Sequence, residues 1–270
     1  MVGPIVNCSV LVLPVVYFNL KPCMKKILLT LAIVFLITQL RAQNFEVSIQ
    51  ANTGLFHYGG SSATAVSFIQ EAYTDKLDYT NNPYGSKNGF SYGLDVQAQH
   101  VGKSGFIIGL QAGYDILRSK ENINEYDPLT FILYTGANWT GDYQIQIPVK
   151  GQTVLQNQDI NVNPYIGYRI QTKKIKIDVL PGIDLGFNIN SYDKGKGTDS
   201  EGNVYRTDLE LTNAPTDVRF RLGVAAWYGR FGITAAFSYG LTNLDKITIG
   251  NGPYNAHSEL LRFGITYRLF

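Results

Sequence analysis

The side chains best suited to catalysis in this sequence are two histidines and the neighbours of one of them. His57 follows an apolar segment near the N-terminus, and His257 is followed directly by Ser258 and Glu259. A serine hydroxyl activated by a histidine base can act as a nucleophile. Successive side chains of an extended chain point to opposite faces, so Ser258 turns away from His257 if this stretch is a strand. We therefore expect no catalytic residues, no metal site, no cofactor and no enzyme activity.

A second set of candidate functional side chains consists of charged residues that alternate with apolar ones. Five acids and six bases lie on the polar side of extended segments. If the segments close into a barrel, these charges face its lumen, where burial requires that they pair. A path for protons or ions is the functional alternative to such a self-paired network. The predicted lumen charge network is Glu46, Asp95, Asp115, Arg169, Lys176, Asp178, Asp184, Arg219, Arg221, Arg262 and Arg268.

The elements that would position these charges are segments in which every second residue is apolar. Alternation of this kind predicts a β-strand with one apolar face. The apolar faces carry no charge, as expected of surfaces in lipid, where a charge at mid-membrane costs about 2 to 4 kcal/mol. The eight predicted strands cover 45–55, 90–98, 106–116, 160–170, 175–189, 218–228, 231–241 and 261–269.

The connections between these strands alternate strictly between long and short. The short ones are 101–105, 171–173 and 228–230, whereas the others have 19 residues or more. Outer-membrane barrels have short periplasmic turns, long external loops and an even strand count. A soluble sandwich or lipocalin-type barrel would have a polar outer face. The sequence therefore predicts an all-β fold, an eight-stranded antiparallel up-and-down transmembrane β-barrel.

Several features qualify the predicted strands and loops. Alternation at Tyr143, Ile145, Ile147 and Val149 suggests that the sheet extends outside the membrane, although ten spanning strands are the alternative. The acidic and basic loop around 193–201 is expected to be a solvated hairpin tip. Pro164 and Pro181 flank one short turn symmetrically. Proline cannot donate to the ladder, so we expect a paired bulge there, with a lateral gap in the barrel as the alternative.

The N-terminus has the order of residues typical of export. Residues 24–42 place two lysines before an apolar run and a small residue, which predicts a signal peptide. Residues 1–23 are interpreted as an upstream mis-start or extra leader, and 43–270 as the barrel domain. Cleavage after residue 42 would remove four basic residues and no acidic ones. The remaining chain would have 19 basic and 21 acidic residues, a net charge of -2. Such a balance gives no footprint for nucleic acid, and we expect a location in the cell outer membrane.

The C-terminal sequence resembles the last strand of outer-membrane β-barrels, whose terminal aromatic residue is recognised by the barrel-assembly machinery. The matching stretch is 262–270, with Tyr267 and Phe270 as the implied assembly signal. The stretches 164–170 and 176–182 are similar to PorT-like outer-membrane β-barrel domain proteins of Bacteroidetes. This resemblance implies contact with outer-membrane lipid and lipopolysaccharide, and no catalytic residues to carry over.

The expected function follows from the width of the barrel. Eight strands leave a lumen that side chains can fill, so we expect a plugged barrel with long extracellular loops. Its role would be structural or interactive, with other envelope proteins among the expected partners. The alternatives are a transport barrel for a small solute or lipid, and a lipid A modifying enzyme with His, Ser and Glu at its rim.

Overall fold

The regular structure of the described residues is made of β-strands. The computed structural model describes residues 45–72, 77–128, 146–211, 215–245 and 254–270. The predicted signal peptide, the leader before it, and Tyr143 and Ile145 of the predicted extension lie outside the described residues. Within the described ranges, no helix is long and apolar enough to span a bilayer. The strands are β1 (Phe45–Gly59), β2 (Val66–Gln70), β3 (Tyr79–Thr80), β4 (Lys87–Val101), β5 (Phe106–Asp127), β6 (Ile147–Gln171), β7 (Lys176–Thr198), β8 (Val204–Leu211), β9 (Asp217–Tyr228), β10 (Phe231–Gly240) and β11 (His257–Arg268).

Eight of the described strands form a closed antiparallel ring. Its order is β1, β4, β5, β6, β7, β9, β10 and β11, and β11 pairs with β1. The closing pair runs from Ser48 opposite Arg268 to Gly59 opposite His257. Three short connections lie at one end, which we call the turn end, and the long connections lie at the other, the loop end. The predicted eight-stranded up-and-down barrel is confirmed.

The polarity of the ring is the reverse of that of a soluble barrel. Leu94 is 69% exposed on the outside, whereas the next residue, Asp95, is 3% exposed and faces the lumen. Ile233 and Ile265 are similarly exposed on the far side of the ring. A continuous apolar surface of this size is not stable in water. The outward apolar side chains of the eight strands therefore form an apolar band of the kind that contacts lipid in transmembrane barrels.

The sheet continues beyond the apolar band at the loop end. β5, β6 and β7 extend there, β2 runs parallel to β5, β3 pairs with β2, and β8 pairs with β7. This extension has its own apolar core, in which Ile69, Ile123, Tyr126 and Val149 are buried and Tyr205 stacks on Tyr126 at 4.0 Å. The sequence placed these strand ends too early, because polar residues occupy both faces there and the alternation disappears.

The two prolines beside the short β6–β7 turn do not form the expected bulge. Val162 lies opposite Leu185 and Tyr165 opposite Gly182, so the register is the same on both sides of Pro164. The side-chain amide of Asn163 donates to the carbonyl of Ile183 at 2.9 Å. A side chain thus supplies a hydrogen bond where the ladder is interrupted. The β6–β7 register shifts instead at Gln158 and Asp159, nearer the loop end.

Candidate functional site

The middle of the lumen is filled by buried arginines and aspartates from strands on opposite sides of the ring. Asp184 on β7 is fully buried and lies within 3.6 to 3.8 Å of Arg219, Arg221 and Arg262. Arg262 on β11 also donates to Asp115 on β5 at 2.6 Å. Side chains of this length reach across the lumen, so the ion pairs cross-link the ring and occupy its centre.

Asp95 belongs to the same layer but is held by amides. Gln111 donates to its carboxylate at 2.8 Å, and Asn52 donates to the same oxygen. The space for this carboxylate is provided by Gly113, since a Cβ atom there would overlap it. The predicted network thus contains a carboxylate whose nearest partners are neutral side chains.

A second charged cluster lies near the turn end. Arg169 makes two hydrogen bonds to Glu46 at 2.7 and 2.8 Å and two to Asp178 at 2.6 and 2.7 Å. The indole of Trp227 donates to Asp178 at 3.0 Å, and the Arg268 guanidinium lies 4.3 Å from the centroid of that indole. Bidentate pairs of this kind are geometrically specific. They tie β1, β6, β7, β9 and β11 together at the turn end.

The structure differs from the predicted network at three positions. Lys176 is half-buried at the start of β7 and forms no ion pair with any described residue, because it lies at the water-accessible turn end. Asp159 and Asp217 were not predicted, yet they lie 3.5 and 3.0 Å from Arg219. Both were placed at the ends of predicted loops, where no alternation assigned them a face.

Above the arginine layer, the loop end of the lumen is filled by an apolar cap. Phe56, Tyr58, Leu117, Leu155 and Leu260 are each at most 3% exposed and contact one another. Each lies on its strand beyond the charged residues and faces inward. The Tyr58 hydroxyl accepts a hydrogen bond from Asn157 at 2.6 Å. Charged side chains therefore lie at mid-lumen, and buried apolar side chains lie above them at the loop end.

Two acids of the extension, outside the apolar band, are almost completely buried. Glu121 and Asp193 are each 1% exposed. Glu121 accepts a hydrogen bond from Thr153 at 3.1 Å. Burial raises the pKa of Glu121 to about 8, and the nearby charge of Asp193 adds to this. Burial also raises the pKa of Asp193 to about 6.

The burial of Asp193 corrects the expectation of a solvated tip. The odd-numbered residues of β7 from Ile183 to Ile189 face outward. The β6–β7 register then shifts between Asn188 and Asn190 of β7, so the later odd-numbered residues face inward. A one-residue shift of this kind exchanges the two faces of a strand. Asp199 and Glu201 do lie in the β7–β8 turn, with the backbone amide of Glu201 donating to Asp199.

The predicted catalytic candidates are separated by the sheet. Glu259 lies between His57 and His257, with Nε2 to carboxylate distances of 3.5 and 3.4 Å, on the outer face of the rim. Ser258 is fully buried on the other face. Ser258 therefore does not face the imidazoles. Among the described residues, no group of three or more His, Cys, Asp or Glu side chains is arranged to hold a metal ion.

The residues of the implied assembly signal lie beside the ring closure. Val47 on β1 donates to the carbonyl of Phe270 at 2.9 Å, and the amide of Leu269 donates to the carbonyl of Val47 at 2.8 Å. The Phe270 side chain is 61% exposed. The ring of Tyr267 packs on Phe231 with centroids 5.0 Å apart. The last residues therefore continue the β1–β11 pairing while the terminal aromatic ring stays accessible.

Comparisons with known proteins give no family and only distant structural likeness. No family model matches the chain, and no curated protein matches it. Ail, the attachment invasion locus protein of Yersinia pestis, is 12% identical, with 84% of this chain and all of that chain covered and a TM-score of 0.31. Neisserial surface protein A is 14% identical (82% and 96% covered, TM-score 0.32). A major outer membrane protein from Thermus thermophilus is 15% identical (83% and 99% covered, TM-score 0.34). Such low scores carry no function over to this chain.

Proposed function

We propose that this chain is an integral outer-membrane protein whose sealed barrel anchors an extracellular sheet and its loops for interaction with partners. The observation that carries the proposal is the filling of the lumen. Arg219, Arg221 and Arg262 surround Asp184 at mid-lumen, and the apolar cap closes the loop end. A barrel filled in this way has no space for a passing solute, so its accessible surfaces are the ones available for function.

The orientation follows from the lengths of the connections. Short turns face the periplasm and long connections face outward in outer-membrane barrels. The extension of β5 to β8 then projects from the cell surface. Its partners would be lipopolysaccharide, other envelope proteins and, during insertion, the barrel-assembly machinery contacting Tyr267 and Phe270.

Conductance of the refolded protein in planar bilayers tests the sealed lumen. We expect no discrete conductance steps, with an open porin inserted under the same conditions as the positive control. Uniform steps across independent insertions would contradict a sealed barrel and favour transport. Insertion itself is checked separately by heat-modifiable migration in gels, where an unheated barrel shifts and an unfolded chain does not.

Location is tested by fractionating cell envelopes. The protein should sediment with the outer membrane and resist extraction by high salt. Deleting Phe270 should lower the amount that reaches the heat-modifiable form, because the accessible terminal ring would be lost. Recovery of the intact chain in a salt-soluble fraction would contradict integral insertion.

A further inference from the structure

The outward side of the extension carries an excess of cations immediately beyond the apolar band. We call this surface the basic face. Register places its side chains in rows across the strands. One row contains Lys87, Lys120, Val154, Lys194 and Asp208, in that order from β4 to β8. The cations of the basic face are Lys87, Arg118, Lys120, Lys150, Lys194, Lys196 and Arg206.

The acids on these rows do not neutralise the cations. Among the described residues of these strands, three acids, Glu125, Asp208 and Glu210, share the outward side with the seven cations, an excess of four cations. Asp208 pairs with Lys194 at 3.0 Å, and both side chains are more than half exposed. Lys87 lies directly opposite Lys120. Like charges directly opposite one another destabilise a sheet, so an anion between these two lysines would remove an unfavourable contact.

The height of the basic face indicates the source of the anion. Arg118 is the first outward charge on β5 after the apolar residue Ile116, and its guanidinium lies 5.2 Å from the centre of the Tyr92 ring. Aromatic residues mark the level of the headgroups in membrane barrels. The row containing Lys120 lies two residues further out, roughly 7 Å at the rise of a β-strand. In a barrel whose apolar band spans the outer membrane, this level would be that of the phosphates of the outer leaflet.

The opposite side of the ring lacks such a surface. Beyond the apolar band, the described outward residues of β1, β10 and β11 include His57, His257, Glu259 and Tyr239, with no lysine or arginine among them. Within the part of the chain that the structure describes, the excess of cations therefore lies on β4 through β8. A one-sided surface fits a bound molecule better than a general adjustment to the membrane.

We propose that the basic face binds the phosphate groups of lipopolysaccharide in the outer leaflet. Arg118 contacts phosphate beside Tyr92, at the inner edge of the headgroup level, and Lys87, Lys120 and Lys194 contact phosphate one row further out. Lysine and arginine near an anionic membrane surface each add to binding, and arginine suits phosphate geometrically. The proposal rests on the proposed function, because it requires the apolar band to lie in the outer membrane.

Binding of bisphosphorylated lipid A to the full chain in mixed detergent micelles tests this proposal, with dephosphorylated lipid A as the second probe. The variant is Lys87→Gln, Lys120→Gln and Lys194→Gln combined. The control is Lys103→Gln, Lys173→Gln and Lys174→Gln, which removes the same charge at the turn end. We expect the first variant to bind bisphosphorylated lipid A at least about tenfold more weakly than the wild type. The control should bind within about twofold of the wild type, because charges at the distant turn end are screened by salt.

Two results would overturn the proposal. One is equal binding of phosphorylated and dephosphorylated lipid A by the wild type. The other is an equal loss of affinity in the two triple variants. Heat-modifiable migration of each sample separates these failures from failure of the proposed function. A shifted band without phosphate dependence refutes the basic face alone, whereas an unshifted band refutes the membrane barrel.

Discussion

Arg262 and Asp115 join two strands that are not neighbours in the ring. The guanidinium on β11 donates to the carboxylate on β5 at 2.6 Å, and β1 and β4 lie between these strands. Both side chains are at most 4% exposed. The pair therefore links two non-adjacent strands across the lumen. The positive charge of Arg262 also balances the buried negative charges of Asp115 and Asp184.

Replacing this arginine should destabilise the barrel strongly. Arg262→Ala leaves Asp115 and Asp184 with less positive charge nearby, and breaking a buried pair costs about 3 to 5 kcal/mol. Urea unfolding in phosphatidylcholine vesicles measures the change in the free energy of unfolding. Lys194→Ala is the control, since its pair with Asp208 is exposed and should contribute less than about 1 kcal/mol. An equal decrease in the free energy of unfolding in the two variants would contradict a stabilising buried pair.

The glycines of the lumen should differ in their tolerance of alanine. A Cβ atom at Gly109 would overlap the ring of Tyr165, whose hydroxyl bonds to Gln99 at 3.0 Å. Gly109→Ala should therefore lower the free energy of unfolding by about 1 to 3 kcal/mol, the usual cost of overpacking. At Gly223, the nearest atoms lie 3.5 Å or more from the added carbon. Gly223→Ala should be nearly neutral in the same unfolding assay, and the reverse order would refute this packing.

The extension should lose stability as the pH rises. The pKa of Glu121 is raised from 4.5 to about 8 by burial. Its contribution to stability is then complete below the unfolded-state pKa and is lost as the pH rises through the folded-state value. The expected slope approaches about 1.4 kcal/mol for each pH unit between these values.

Hydrogen exchange of the β5 to β8 amides across this pH range, corrected for intrinsic rates, measures the effect. Glu121→Gln keeps the contact with Thr153 and removes the titration, so its slope should be reduced. Asp193, with a pKa of about 6, should leave a weaker dependence at lower pH. Unchanged slopes in the variant would show that Glu121 is not the titrating group.

Lipid A should be unchanged by removal of the rim histidines. Ser258 faces the lumen while His57 and His257 face outward beside Glu259. A nucleophile and base on opposite faces cannot exchange a proton directly. Mass spectra of lipid A from cells carrying His57→Ala and His257→Ala should match those from wild-type cells. A mass change specific to the histidine variants would reopen the enzymatic alternative.

The parts of the fold that the sequence predicted are those in which polarity alternates. Segments such as 106–116 have one apolar and one polar face, so lipid and lumen impose a period of two. Beyond Ile116 the two faces of β5 contact water and the small apolar core of the extension. The alternation of apolar and polar residues therefore no longer marks the strand there. Asp193 shows the same limit, because a bulge at the end of the alternating segment 175–189 reversed the face of the residues that follow. The pairing of Asp159 with Arg219 could not be predicted either, since the predicted strand began at residue 160 and Asp159 was assigned to no strand.

The β1–β11 seam determines when the barrel can form. Ser48 lies in register opposite Arg268, so the closing ladder joins the first and last strands of the barrel. Contacts so distant in sequence form slowly because a long loop must first be closed. Until β11 has been synthesised, β1 and β10 remain as open strand edges, which are prone to aggregation. Closure of the ring therefore requires the whole domain, because its first and last strands must both be present.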